Sequence, residues 1–285
     1  MSLYDLRRRM KSVKSTKKIT QAMELVATSK MRKLHKKLLL TRPYATASFR
    51  ILSQVSNTVD ARENIFFVTP NKNEQLAKTL IILITGDRGL CGSFNSNVFR
   101  KILEIYPDKT ITDFVTIGRR GQSFCKKMGY DIIATFTKKS TSINAKRVRS
   151  ITKVVLGAYT TAQYKEVIIV GTNFISMSTR KTYIKKILPI NNLDNSIVSE
   201  IKVENAQYSF EPDSASVLNS LVIRLVEIQI LQTILESNTS EQSARMMAMH
   251  EATQNAEGLT KDLILNYNNL RQELITRAVL EQQSA

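Results

Sequence analysis

The chain has no tryptophan, and its 285 residues include only two cysteines, two histidines, five prolines and nine glycines. Cys91 and Cys125 supply neither a disulfide framework nor a metal-ligand spacing, which fits a reducing compartment. His35 and His250 lie far apart, each without a neighbouring Cys or carboxylate pattern suited to metal binding or nucleophilic work. No apolar run approaches the roughly 20 residues that cross a bilayer, the longest being Leu80 to Ile84, so no direct membrane span is expected. The basic N-terminus lacks the apolar region of a secretory signal. Its acid-poor, amphipathic start is like a mitochondrial presequence, but the apolar stripe continues well past residue 30 and reads as structure. Acidic residues are scarce as well: 24 against 42 Lys and Arg, a net charge of +18. Such an excess calls for an acidic partner, whether nucleic acid, anionic lipid or an acidic protein surface.

Both ends of the chain carry helical periodicity. In residues 3 to 56, apolar side chains fall at Leu3, Leu6, Met10, Val13, Ile19, Met23, Val26, Met31, Leu34 and Leu38, mostly in steps of three and four. In residues 213 to 281 the same spacing links Leu218, Leu221, Leu225, Ile228, Leu231 and Leu235. After a polar stretch it resumes at Leu259, Leu263, Tyr267, Leu270 and Leu274. At ~1.5 Å per residue the second segment would run on the order of 100 Å, far beyond an ordinary globular helix. Pro43 is expected to kink or end the first helix. The second should start at Phe210-Glu211-Pro212-Asp213-Ser214, where Asp and Ser can cap. Residues 1 to 50 hold fourteen basic and two acidic residues, net +12, whereas residues 213 to 285 hold five basic and nine acidic, net −4. Antiparallel pairing would satisfy both stripes and part of the charge, though each surface pair contributes at most about 1 kcal/mol.

Between the helices the pattern alternates strand and helix. Strands are expected at 79–85, 114–117, 130–135 and 166–171, and helices at 93–106, 119–128 and 142–162. Residues 180–188 and 197–203 read as a further, less sharply defined strand or strand pair. The fold class is α/β: an antiparallel coiled coil of long N- and C-terminal helices plus a central Rossmann-like domain with an open, mostly parallel sheet. The boundaries are a shaft helix over 1–56, a linker over 57–76, an α/β domain over 77–207 and a second shaft helix over 208–285. The only Gly-rich turn, Gly86-Asp87-Arg88-Gly89-Leu90-Cys91-Gly92, follows the first strand but matches neither the P-loop nor GxGxxG. It reads as a tight structural turn, with no cofactor implied. Glu24, within a basic helix, is available for local pairs with Lys neighbours. No constellation resembles a catalytic site.

Four segments, at the start, middle and end of the chain, carry a resemblance to a known family. They are Lys18-Ile19-Thr20-Gln21-Ala22-Met23-Glu24-Leu25-Val26-Ala27 with Ser29-Lys30-Met31-Arg32; Asp87-Arg88-Gly89-Leu90-Cys91-Gly92; Ser240-Glu241-Gln242-Ser243-Ala244-Arg245-Met246-Met247-Ala248-Met249; and Arg271-Gln272 with Ile275-Thr276. Together they resemble the gamma subunit of the rotary F-type ATP synthase over essentially the whole chain. The resemblance implies a non-catalytic rotor shaft inside a ring of three alpha and three beta subunits. Its α/β foot would rest, with the epsilon subunit (delta in mitochondria), on the membrane c-ring. Acidic lever segments of beta would explain the basic charge without nucleic acid.

By the same resemblance, rotor–stator coupling is assigned to Met23, Lys30, Arg32, Lys33, Arg245, Arg271, Gln272 and Thr276. Arg7, Arg8 and Arg9 would form a diffuse basic shaft surface. The implied location is the cytoplasmic face of a bacterial inner membrane, favoured by the initiator Met, with the mitochondrial matrix side as the alternative. The sequence departs from the family at its tip, where Ala278 takes a glutamate position, and it lacks the dithiol insert of plastid members. Two rival readings lack their own signals. A nucleic-acid protein would need stacking aromatics or a helix-turn-helix, and a nucleotide enzyme would need phosphate-binding and catalytic groups.

Overall fold

Helix α1 (Leu3–Thr58) starts at a reciprocal cap. The Asp5 amide donates to Ser2 Oγ at 3.1 Å, and the Ser2 amide and hydroxyl donate back to Asp5 Oδ2 at 3.3 and 2.7 Å, satisfying amides the helix leaves free. The computed structural model describes residues 2–58, 65–68, 78–138, 145–190, 211 and 213–283. After α1 come strand β1 (Lys78–Ile84), helix α2 (Phe94–Ile105), β2 (Thr112–Ile117), α3 (Arg119–Met128), β3 (Asp131–Phe136), α4 (Ala145–Thr160), β4 (Tyr164–Phe174), β5 (Arg180–Leu188) and helix α5 (Ser214–Gln283). The expected strand at 197–203 and most of the expected linker lie outside the described residues.

Pro43 does not end the first helix, which runs fifteen residues past it. The proline lies on the solvent side beside exposed Leu39, Leu40 and Tyr44, where water can satisfy the carbonyl it orphans. Leu38, Ala45 and Leu52, buried at heptad spacing on the opposite side, keep the helix on its course. At the start of α5 the Asp213 carboxylate caps as the sequence suggests, accepting the Ser216 amide at 2.8 Å and its hydroxyl at 2.7 Å. Asp213→Ala should fray this first turn, seen as faster amide hydrogen exchange at Ser216 with the remainder of α5 unchanged.

The sheet runs β3-β2-β1-β4-β5, with β1 parallel to both β2 and β4, β2 parallel to β3, and β5 antiparallel on one edge. Side chains of β1 alternate between two cores, as the period of a strand requires. Leu80, Ile82 and Ile84 point to α4 and the first half of α5, packing with Val155, Tyr159, Val222 and Val226. Ile81 and Leu83 point to α2 and α3, packing with Val98, Ile102 and Cys125. Helix α5 therefore begins as a core helix of the α/β domain. Its length and apolar composition alone would admit it as a membrane span, but half of the apolar window is buried inside the molecule.

Beyond the domain, α1 and α5 run antiparallel in one register. Lys17 Nζ meets Glu257 at 3.1 Å, the hydroxyls of Thr20 and Thr253 stand 2.8 Å apart, His250 Nδ1 lies 3.0 Å from Glu24 Oε1, and Leu38 packs on Leu235. In α1 the buried positions Leu6, Thr20, Ala27 and Leu34 recur at multiples of seven, as do Met31, Leu38, Ala45 and Leu52; this is the seam of a left-handed coiled coil. The buried stripe differs from the one that the apolar spacing predicts. Ile19 and Val26 are 58% and 52% exposed, while Thr20 and Ala27 take the seam. A strict seven-residue repeat fixes which side faces the partner, and Ile19 and Val26 fall beside it. Glu24 likewise pairs across the seam with His250 rather than with a lysine of its own helix. Extending the register places Leu3 near Leu270, so residues 271–283, all exposed, continue as a single helix beyond the start of α1.

Candidate functional site

A sheet of this order has its switch point at the carboxyl ends of β1 and β4, where doubly wound folds usually hold a ligand. Here that crevice is filled by α5. Ser240 Oγ donates to the Thr172 carbonyl at 3.2 Å, and Ser243 Oγ donates to the Met177 carbonyl in the connection after β4. On the other side, Arg245 Nη2 reaches the Gly89 carbonyl at 3.4 Å in the turn after β1. A Cβ at Gly86 would lie only 3.1 Å from Glu241 Oε1, so the turn and the helix approach as closely as a glycine permits. The Gly86–Gly92 turn is thus a docking element for α5, in keeping with its lack of a phosphate motif.

Its shape is fixed from below by α3. The Arg120 amide donates to the Gly86 carbonyl at 3.1 Å, the Arg119 amide to Asp87 Oδ1 at 2.9 Å, and the Gly121 amide to Thr85 Oγ1 at 2.8 Å. The Gly86 amide donates to Asn95 Oδ1 at 2.9 Å, and Leu90 is held at a φ of 61° with its side chain exposed. Glu241 is the charged centre of the site. Arg245 Nη2 stands 2.8 Å from Oε1 and Lys138 Nζ 3.3 Å from Oε2, with all three side chains at least 88% buried. Burial opposes ionisation of Glu241, but Lys138 and Arg245 prevail and hold its carboxyl below the ordinary range. A carboxyl so lowered contributes fully at neutral pH, and its contribution is lost as pH falls through the acid range. Cys91, close by, is buried and its thiol is pushed up, while Cys125 is pushed up to about 12; both stay protonated and unreactive at neutral pH.

The remaining sequence-assigned residues divide into two surfaces. Met23 is half-buried on α1 amid exposed Ile19, Leu25 and Val26, an outward apolar strip lying over a polar section of the seam. Lys30, Arg32 and Lys33 are exposed one to two turns further along, and Arg7, Arg8 and Arg9 are exposed near the start of the helix. Arg271, Gln272 and Thr276 lie on the unaccompanied tip of α5, with Leu274, Ile275, Val279 and Leu280 between 45% and 59% exposed. Arg245 is apart from both groups, engaged inside the molecule. Among the described residues no group of three or more His, Cys, Asp and Glu could hold a metal ion. No local spacing in the sequence marks Glu241 or Lys138. A signal was present in the run Ser237, Thr239, Ser240, Ser243 and Ala244, small side chains at helical spacing that let a backbone approach closely; its four hydroxyl residues are fully buried.

The chain is similar over nearly its whole length to known proteins. A family model described as ATP synthase matches residues 2–282. The ATP synthase gamma chain of Clostridium novyi is 38% identical over 280 residues, covering 98% of this chain and 95% of the relative. That of Chloroflexus aurantiacus is 35% identical over 286 residues, covering 98% and 96%. Among solved structures, the rotor of the Euglena gracilis mitochondrial ATP synthase superposes with a TM-score of 0.69 at 17% identity, over 96% of this chain and 98% of that one. The central stalk and c-ring structure of the Tetrahymena thermophila enzyme gives 0.64 at 22% identity, over 82% and 99%. These structural likenesses establish the shared fold of long paired helices and a central sheet.

Proposed function

The chain belongs to the ATP synthase gamma-chain family, and from that premise we propose that it is the central rotor shaft of a peripheral F1 sector, coupling rotation of a membrane c-ring to conformational change at beta-subunit catalytic sites. The paired helices stand in the centre of three alpha and three beta subunits, and the α/β domain, with epsilon (delta in mitochondria), rests on the c-ring. The sector lies on the cytoplasmic face of a bacterial inner membrane or, alternatively, on the matrix side of a mitochondrial one. The chain itself supplies no catalytic group. One observation carries the reading: the shaft is asymmetric about its long axis. It has two helices along most of its length, one at the tip, an apolar strip at Met23 on one side and basic side chains beside it. A symmetric rod would present the same surface to three sites at every angle. An uneven one contacts each differently, and differential contact is what shifts a conformational equilibrium in either direction.

Met23, Lys30, Arg32 and Lys33 then face the acidic levers of beta, while Arg271, Gln272 and Thr276 meet the ring near its upper bearing. Met23→Lys adds a charge to the apolar strip beside those levers and should lower coupling, with fewer protons pumped per ATP hydrolysed in membrane vesicles; equal stoichiometry in variant and parent would sink this assignment. The shaft role is tested by mixing the chain with alpha and beta subunits of the same organism and following assembly by size-exclusion chromatography and hydrolysis. One copy per three alpha and three beta, with hydrolysis that depends on the chain, is the expected result. A folded chain that fails to assemble would remove the reading.

A further inference from the structure

The crevice filled by α5 holds a buried group of charges that apolar packing alone would not require. Glu241 belongs to the shaft helix, Lys138 follows β3 at one edge of the sheet, and Arg245 reaches across to the Gly89 carbonyl after β1. The contact therefore ties three separate parts of the chain together at the carboxyl end of the sheet. Four turns of α5 before it are held by aliphatic packing, which is non-directional and tolerates small rotations of a helix about its own axis. A buried carboxylate is directional. Rotating α5 by one residue, about 100°, would carry Glu241 and Arg245 round together, leaving Lys138 buried without its anion and taking Arg245 away from the Gly89 carbonyl. The neighbouring bonds from Ser240 and Ser243 act on the opposite side, at the end of β4 and the connection that follows it, so the helix is gripped from both sides within about one turn.

We propose that Glu241, with Lys138 and Arg245, is an angular latch: a positioning group that fixes the rotational register of the α/β domain on the shaft. Arg245 acts here through the Gly86–Gly92 turn, inside the chain. The latch makes the domain and the helix one torsional body, so a turn imposed on the domain arrives at the tip without slip. This consequence rests on the shaft role above; the latch itself does not.

The test measures distances between nitroxide spin labels on the full chain. Labels are carried by cysteines introduced at exposed Ser96 on α2 and exposed Asn255 on the shaft; the native thiols are both buried. Glu241→Gln removes the charge and keeps the shape. Lys138→Met leaves the Glu241–Arg245 pair intact and strands no cation, so it serves if the first variant fails to fold. Each should broaden the Ser96–Asn255 distance distribution about twofold, while Lys101→Met, in an exposed pair within α2, leaves it narrow. An unchanged width in every folded variant overturns the latch. In the assembled complex, the same variants should hydrolyse ATP at near-parental rates but pump fewer protons per ATP, with Glu241→Asp restoring the stoichiometry. Broadened distances with unchanged pumping would refute the torsional role. A parent chain that never assembles would refute the shaft reading while leaving the distance result standing.

Discussion

Gly118→Ala is expected to cost on the order of 3 to 5 kcal/mol of stability, with a fall in melting temperature of roughly 10 °C. Gly118 joins β2 to α3 at φ 115° and ψ 141°, a conformation that side chains resist. A Cβ there would stand 2.3 Å from the Thr85 carbonyl oxygen and 2.9 Å from its carbon. These are backbone atoms of the central strand's end, held by the Thr85 amide's bond to the Ile117 carbonyl at 2.9 Å, so neither side can yield cheaply. The clash lies directly below the Gly86–Gly92 turn. Relief by moving Thr85 would carry the turn away from α5, and loss of the turn's protection against hydrogen exchange should accompany the lower melting temperature. A melting temperature within 2 °C of the parent would show that the β2–α3 connection has more room than this geometry allows.

Leu38→Ala should destabilise by about 2 to 5 kcal/mol, whereas Leu40→Ala, two residues away, should fall within about 0.5 kcal/mol of the parent. Leu38 is fully buried against Leu34 and Leu235, with Leu231 at its edge, at the point where the helix pair leaves the domain. Truncation opens a cavity in a small cluster with few neighbours to collapse into it. Leu40 is 71% exposed and has no such cavity to open. Urea unfolding followed by helical circular dichroism separates the two, and equal midpoints would contradict the seven-residue seam.

The contrast between Leu38 and Leu40 also marks how far local pattern reaches. Strand and helix alternation in the central domain follows from apolar run length and period, and strands β1 to β4 all lie where their runs predict. The start of α5 is legible too, because Asp213 carries its own capping chemistry, whereas Pro43 suggests a break that α1 runs through. Which side of α1 is buried between residues 17 and 27 is less legible. Apolar steps of three and four favour Ile19 and Val26, while the partner helix selects Thr20 and Ala27 by a repeat that only its register fixes. Pairings across the molecule are least legible of all. Glu24 finds His250 and Glu241 finds Lys138 over separations of 226 and 103 residues, and no local spacing encodes either. The polar stretch of α5 reads as a gap in an apolar stripe, yet its small side chains are what allow the sheet to come close.

The crevice filled by α5 sets an order of events during synthesis. The central domain emerges from the ribosome with one face of its sheet covered only by α4 and its switch point open, and the helix that closes both is made last. At about 5 to 20 residues per second, on the order of 10 to 30 s separates completion of α1 at Thr58 from the start of α5 at Ser214. Throughout that interval the seam of α1 and the Leu80, Ile82 and Ile84 face of β1 lack their final cover. Nascent chains that stop before residue 214 should therefore be bound by cellular chaperones and cleaved readily, and release should coincide with translation of the 240–245 segment.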